Sequence, residues 1–89
     1  MGLFAVSYDL MKGKDYERIQ GELERLGGVR VQLSYYLLNL TSEDATEVLK
    51  HLKPFVDSDD RLMVLKFVGQ PRYTNALKGT KDWISSNLP

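Results

Sequence analysis

The chain has 89 residues, with 12 basic and 12 acidic side chains for a net charge of zero, and no cysteine. That length suits one small domain with one core, and the lack of thiols excludes disulfides, thiolate zinc sites and a cysteine nucleophile. Balanced charge argues against a nucleic-acid binder of the histone type, which works by bulk attraction alone.

Residues 3–10, LFAVSYDL, set Phe4, Val6, Tyr8 and Leu10 against Ser7 and Asp9, the period of a strand with one apolar face. MKGKD then turns the chain, with Asp15 placed to accept N–H groups at a helix start. Tyr16, Ile19, Leu23 and Leu26 share one face of that helix, and Gly27 and Gly28 end it. Residues 29–40, VRVQLSYYLLNL, are extended by composition but too long for one strand, so they split near Gln32, Leu33 and Ser34. Thr41 and Asp44 match a capping box and predict a second helix that starts there. Ala45, Val48, Leu49 and Leu52 line its apolar side, and Pro54 ends or kinks it.

DSDD, residues 57–60, reads as a turn, because it lacks the downstream glycine and bidentate glutamate of a calcium loop. RLMVLKFVG, residues 61–69, is apolar on both faces apart from Lys66, the pattern of an interior strand covered twice. Pro71 breaks that run. Tyr73, Asn75 and Leu77 suit a short extra strand, and Thr80 is placed to cap a last helix anchored by Trp83 and Ile84.

Strand, helix, strand, strand, helix, strand is the ferredoxin-like βαββαβ order, an α+β sandwich. The expectation is a single domain over residues 1–89, with a core at 3–68 and a strand and helix tail at 70–89. Two helices on one sheet face leave the other to the tail or to a second subunit, which makes a homodimer the expected assembly. If Phe4, Val6 and Tyr8 face the helices, then Ser7 and Asp9 face the open side. A two-fold pairing of open faces brings two copies of Asp9 together. Close carboxylates repel unless one is protonated or a cation lies between them. Magnesium needs only one or two protein carboxylates, and such a site can assist cleavage of a nucleic-acid strand. An Asp at a strand end also starts turns through local hydrogen bonds, so spacing alone leaves both roles for Asp9 open.

Arg30, Lys66 and Arg72, on or beside the sheet, suit contacts to nucleic-acid phosphates. Tyr35 and Tyr36 suit either stacking on bases or packing. His51 lies off the apolar stripe and reads as a solvated helix residue, and Lys12, Gly13 and Lys14 lack the spacing of a phosphate-binding loop. Residues 31–60 carry four net negative charges and residues 61–89 four net positive ones, a polarity that serves a ligand phosphate or draws the two segments together. No run approaches the roughly 20 apolar residues that span a bilayer. No basic leader precedes the first apolar run, and Val6 stands where a myristoylation signal has Ser or Thr. A cytoplasmic protein without a membrane anchor is expected.

FAVSYDL followed by a helix, then VRVQLSYYL and a second helix ending before an apolar strand, resembles the small CRISPR-associated adaptation proteins of the Cas-two family and their SinR-like relatives. The likeness covers roughly residues 3–68 and rests on the strand ending in Tyr8 and Asp9, on Val31, Gln32 and Ser34, and on the aromatic Tyr36. The tail KDWISSNL around Trp83 is closer to the SinR-like relatives. This resemblance implies a ferredoxin-like homodimer in which Asp9 is the metal-binding and catalytic residue, with Mg2+ or Mn2+ as cofactor. It implies either a metal-dependent endonuclease acting on RNA or DNA, or a scaffold that holds DNA for an integrase-type partner without cutting it. A ferredoxin-like ribonuclease toxin similar to VapD is a third reading. The chain departs from the family in reading YYLLNL where a Val-Phe and an acidic residue are usual, and in following Asp9 with Leu-Met-Lys-Gly-Lys rather than an arginine-rich helix start. A single candidate acid and zero net charge favour weak or absent catalysis.

Overall fold

The computed structural model describes residues 2–11 and 13–88; Lys12 of the basic turn lies outside the described residues. Strand β1 (Gly2–Asp9) leads to helix α1 (Glu17–Arg25), strands β2 (Val29–Gln32) and β3 (Tyr35–Leu40), helix α2 (Ala45–Leu52), strand β4 (Arg61–Phe67) and helix α3 (Thr80–Asn87). The sheet order is β2-β3-β1-β4, and every neighbouring pair is antiparallel. β1 and β2 therefore run the same way with β3 between them, and α1 makes that crossover. α2 does the same for β3 and β4 across β1. This is the ferredoxin-like α+β fold that the element order predicts.

Local chemistry places each helix. Asp15 Oδ1 accepts the Glu17 N–H at 2.8 Å and so orders the entry to α1. At the other end the Gly27 N–H reaches Glu24 O and the Gly28 N–H reaches Leu23 O, both at 3.0 Å. Gly27 takes a φ of 82°, which only glycine adopts cheaply, so the paired bonds close a Schellman cap. α2 begins later than the capping box at Thr41 predicts. Its cap is Asp44, whose Oδ1 accepts the Thr46 N–H at 2.8 Å. The Ser42 hydroxyl meanwhile accepts the Asp44 N–H at 3.2 Å and donates to Glu47 Oε1 at 3.0 Å, which holds residues 41–44 outside the helix. A 3-10 turn at Lys53–Phe55 carries Pro54 and ends α2.

Phe4, Val6 and Tyr8 of β1 and Tyr36 and Leu38 of β3 form the main core with Ile19 and Leu23 of α1 and Val48 and Leu52 of α2. On the opposite sheet face Ala5, Val31 and Leu37 pack beneath Ile84 of α3, with Trp83 beside them. The Trp83 indole N–H donates to Gly27 O at 3.0 Å and ties α3 to the end of α1. Trp83 and Ile84 thus anchor the last helix as their spacing predicts. α3 covers the β2 and β3 half of its face, with Ala5 of β1 and Phe67 of β4 at its margin, and leaves Ser7, Asp9, Met63 and Leu65 open.

Three expectations are corrected. β4 is an edge strand, not an interior one: Leu62 and Val64 pack against the core, while Met63 and Leu65 are 70% and 59% exposed. An apolar stretch reports what a strand can bury, not how many neighbours it has. Residues 73–77 form no strand, because Asn75 turns the chain with a left-handed φ of 57°; the segment meets β2 through the Leu77 N–H bond to Val31 O at 2.9 Å. Thr80 does not cap α3. Gly79 holds the cap position, and the Thr80 hydroxyl donates back to Leu77 O at 2.7 Å.

Candidate functional site

Asp9 ends β1 with its carboxylate on the open half of the sheet. Its alternation partners confirm the face: Phe4, Val6 and Tyr8 are buried under α1 and α2, whereas Ser7 and Asp9 are exposed. Across the β1 and β4 ladder, Ala5 pairs with Leu65, Ser7 with Met63 and Asp9 with Arg61. The Arg61 Nη1 donates to Asp9 Oδ2 at 2.9 Å, with both side chains mostly in solvent. An ion pair this exposed is worth about 0–1 kcal/mol and yields readily to a stronger partner. One carboxylate with hard oxygen donors in open solvent fits the sparse protein share of a magnesium site, though a single chain offers one such group beside a competing guanidinium.

The other residues singled out from the sequence do not gather around Asp9. Arg30 pairs with Tyr36 in the β2 and β3 ladder, so it points to the helix side, and its Nε donates to Leu33 O at 3.0 Å. Lys66 pairs with Phe4 and also lies on that side, where it donates to Glu43 Oε1 at 2.7 Å. That bond holds the Glu43 carboxyl down at about 2, and it joins the acidic middle of the chain to its basic end. Arg72 is exposed on the loop before α3. Tyr36 is fully buried, and its hydroxyl donates to Glu24 Oε2 at 2.9 Å. Burial, with Glu24 beside it, raises the phenol's pKa, and a ring enclosed by the core presents no face to a base. Tyr35, one residue earlier, is the half-exposed tyrosine.

Two polar clusters escaped the sequence reading. Asp57, Asp59 and Asp60 bring their carboxylates within 4.8 Å of one another, and the Lys14 ammonium sits among them at 2.8 Å from Asp57 and Asp59. These hydrogen bonds, that to Asp57 first, raise the Lys14 pKa. Asp60 is the buried member; it accepts the Met11 N–H at 2.9 Å and the Asp57 N–H at 2.8 Å, and the Met11 bond first lowers its pKa. DSDD is thus a turn, with the Lys14 ammonium bound among its carboxylates. The second cluster is Glu22, buried between α1 and α2, which takes both Arg25 and His51. The signal for the first cluster was present as a basic loop and an acidic loop, but nothing local links positions more than 40 residues apart.

Among the described residues no helix is long and apolar enough to cross a membrane. No solved structure matches the chain. The family described as CRISPR associated protein Cas2 matches residues 1–75, which takes in the whole four-stranded sheet, Asp9 and Arg61. With that match spanning most of its length, the chain belongs to the CRISPR associated protein Cas2 family.

Proposed function

We propose that the chain is a single ferredoxin-like domain acting as a homodimer in the cytoplasm, and that it is a weak metal-dependent endonuclease for RNA or DNA centred on Asp9. The observation that carries this reading is the exposed Asp9 carboxylate at the end of β1, on the sheet half that no helix covers. A magnesium or manganese ion held by Asp9 from each copy would supply Lewis-acid polarisation of a phosphodiester. Arg61 is the chain's own group beside that carboxylate. With Asp9 holding a cation, the Arg61 guanidinium would be available to hold a strand phosphate in two-pronged fashion.

The Arg61 bond also supports a second reading, a non-catalytic scaffold that engages DNA and an integrase-type protein partner, because a carboxylate already neutralised needs no metal. One comparison separates the two. Labelled single-stranded RNA and duplex DNA are incubated with magnesium or manganese and either wild type or Asp9→Asn, purified in parallel. Cleavage by wild type alone is the expected result. Equal cleavage by both removes Asp9 from the chemistry, and no cleavage by either, with the fold intact by circular dichroism, leaves the scaffold.

A further inference from the structure

The C-terminal segment carries positive charge, part of which finds no partner among the described residues. Arg61 is bound to Asp9 and Lys66 to Glu43. Arg72, Lys78 and Lys81 make no ion pair or hydrogen bond with any described residue, and Asp82 is the one acid among residues 61–89. Two of these free cations converge. Arg72, on the loop, and Lys81, in the first turn of α3, line one surface cavity of about 400 Å³ together with Gln70, Tyr73 and Ser85. Arg72 and Tyr73 also border an adjoining cavity of about 160 Å³ that reaches Gln32 and Tyr35 on the sheet.

The loop that carries Arg72 is pinned at its C-terminal end, next to the helix that carries Lys81. The Leu77 N–H bond to Val31 O fixes it to β2, and the Thr80 hydroxyl bond to Leu77 O fixes it to α3. Arg72 and Lys81 thus line one concavity, and no described acid pairs with either. An unpaired guanidinium beside an ammonium selects a phosphate over a monovalent anion, since the guanidinium binds two oxygens at once. Tyr73 is 47% exposed and offers a flat ring on which a base can stack, as aromatic side chains do in single-strand sites. The cavity lies within the size range of small-molecule sites, about 300–1,000 Å³.

We propose that this groove binds a nucleoside phosphate, with the phosphate on Arg72 and Lys81 and the base against Tyr73. The assignment deepens the nucleic-acid reading above, but it requires neither metal nor Asp9, and its far wall, Lys81 and Ser85, lies beyond the residues matched by the family. The ligand is either a free nucleotide or a nucleotide within a single strand.

Calorimetric titration of the full chain without metal, read in parallel by fluorescence of its single tryptophan, Trp83, tests this. The probes are adenosine 5′-monophosphate, inorganic phosphate, adenosine and a single-stranded oligodeoxyadenylate of about ten nucleotides. The monophosphate is expected to bind more tightly than phosphate or adenosine. Replacing both cations, Arg72→Ala with Lys81→Ala, weakens it roughly tenfold or more, and Tyr73→Leu erases its advantage over phosphate. The charge-matched control Lys50→Ala with Lys53→Ala, and Asp9→Asn, leave binding unchanged, so loss of cleavage and loss of binding are separable. Tighter binding of the oligonucleotide than of the monophosphate identifies a strand as the ligand, and equal binding identifies a free nucleotide. No saturable binding of either, or equal affinity in wild type and the Arg72 and Lys81 double variant, overturns the proposal. Both cations are exposed and have no partner among the described residues, so their loss does not endanger the fold.

Discussion

A carboxylate enclosed between two helices loses its hydration, and Glu22 recovers that cost from two partners. Arg25 on the same helix grips it with two bonds, Nε to Oε1 at 2.7 Å and Nη2 to Oε2 at 2.6 Å, and His51 of α2 meets the same Oε2. Arg25 first, helped by His51, holds the Glu22 carboxyl down at about 2 against an ordinary value of 4.5. A depressed carboxylate stabilises the fold above its unfolded pKa and loses that contribution as pH falls through the folded one. The window therefore runs downward from pH 4.5 to about 2. Both partners are largely solvent-exposed, which screens the interaction to roughly 1–2 kcal/mol. Urea unfolding of wild type and Glu22→Gln checks this. Wild type should be the more stable by about that amount at pH 6, and the gap should close as pH approaches 2.5, because the glutamine cannot titrate. A gap that stays constant with pH would assign the loss to packing alone. Other carboxylates held low by their partners, Glu43 and Asp60, shift both proteins alike and cancel from the difference.

At the scale of elements, the sequence was most legible where a signal is local. The face of α1 and its glycine stop follow from residues within a turn of one another, and the parity of β1 placed Asp9 away from the helices, whereas the hairpin break after Gln32 was readable only from the length of the extended run, with no Gly or Asn-Gly to mark it. The start of α2 shifted because Thr41 and Asp44 both have capping side chains within one turn, and only the fold decides between them. β4 was misread because edge or interior is a property of neighbours. The partner of Asp9 was hidden for the same reason: Arg61 lies 52 residues away and is fixed by sheet register. Two glycines show the difference in energetic terms. A Cβ on Gly28 would lie 2.6 Å from Leu38 Cδ2 and 2.8 Å from Leu23 O, and the backbone oxygen cannot withdraw without breaking the α1 cap that the Gly28 N–H itself makes. Gly28→Ala is expected to cost about 1–3 kcal/mol, a melting temperature lower by roughly 10 °C for a domain of this size. Gly21, exposed in mid-helix, has nothing within 4 Å of its Cβ position. Gly21→Ala should raise stability by about 0.5–1 kcal/mol by restricting the unfolded chain. Thermal melts of the two variants, moving in opposite directions, test both statements.

For the whole molecule, the telling feature is an asymmetry of the second sheet face. α3 covers the half built from β2 and β3, but Met63, Leu65 and, past the strand end, Val68 remain exposed at 70%, 59% and 89%. A small domain gains little by leaving such side chains in water, and β4 also presents an unpaired edge, which proteins usually cover or charge. A second copy related by a two-fold axis would cover both, because the same patch would serve each partner. It would also bring in a second Asp9, since Asp9 lies on the same open half as Met63 and Leu65, two register steps along β1 from Ser7, the partner of Met63. The endonuclease reading depends on this pairing, since one chain supplies one exposed carboxylate beside Arg61. Multi-angle light scattering of the wild type is expected to give twice the chain mass of 10.2 kDa. Met63→Lys with Leu65→Lys places two like charges in the contact and should yield the single-chain mass. Because both side chains are exposed and on the face opposite the main core, the variant should keep its circular dichroism spectrum. Metal-dependent cleavage should fall with the dimer in that variant while nucleoside phosphate binding at Arg72 and Lys81 persists, since the groove is complete within one chain. A wild type that scatters as a single chain at micromolar concentration would remove the shared Asp9 centre and leave the groove as the protein's ligand site.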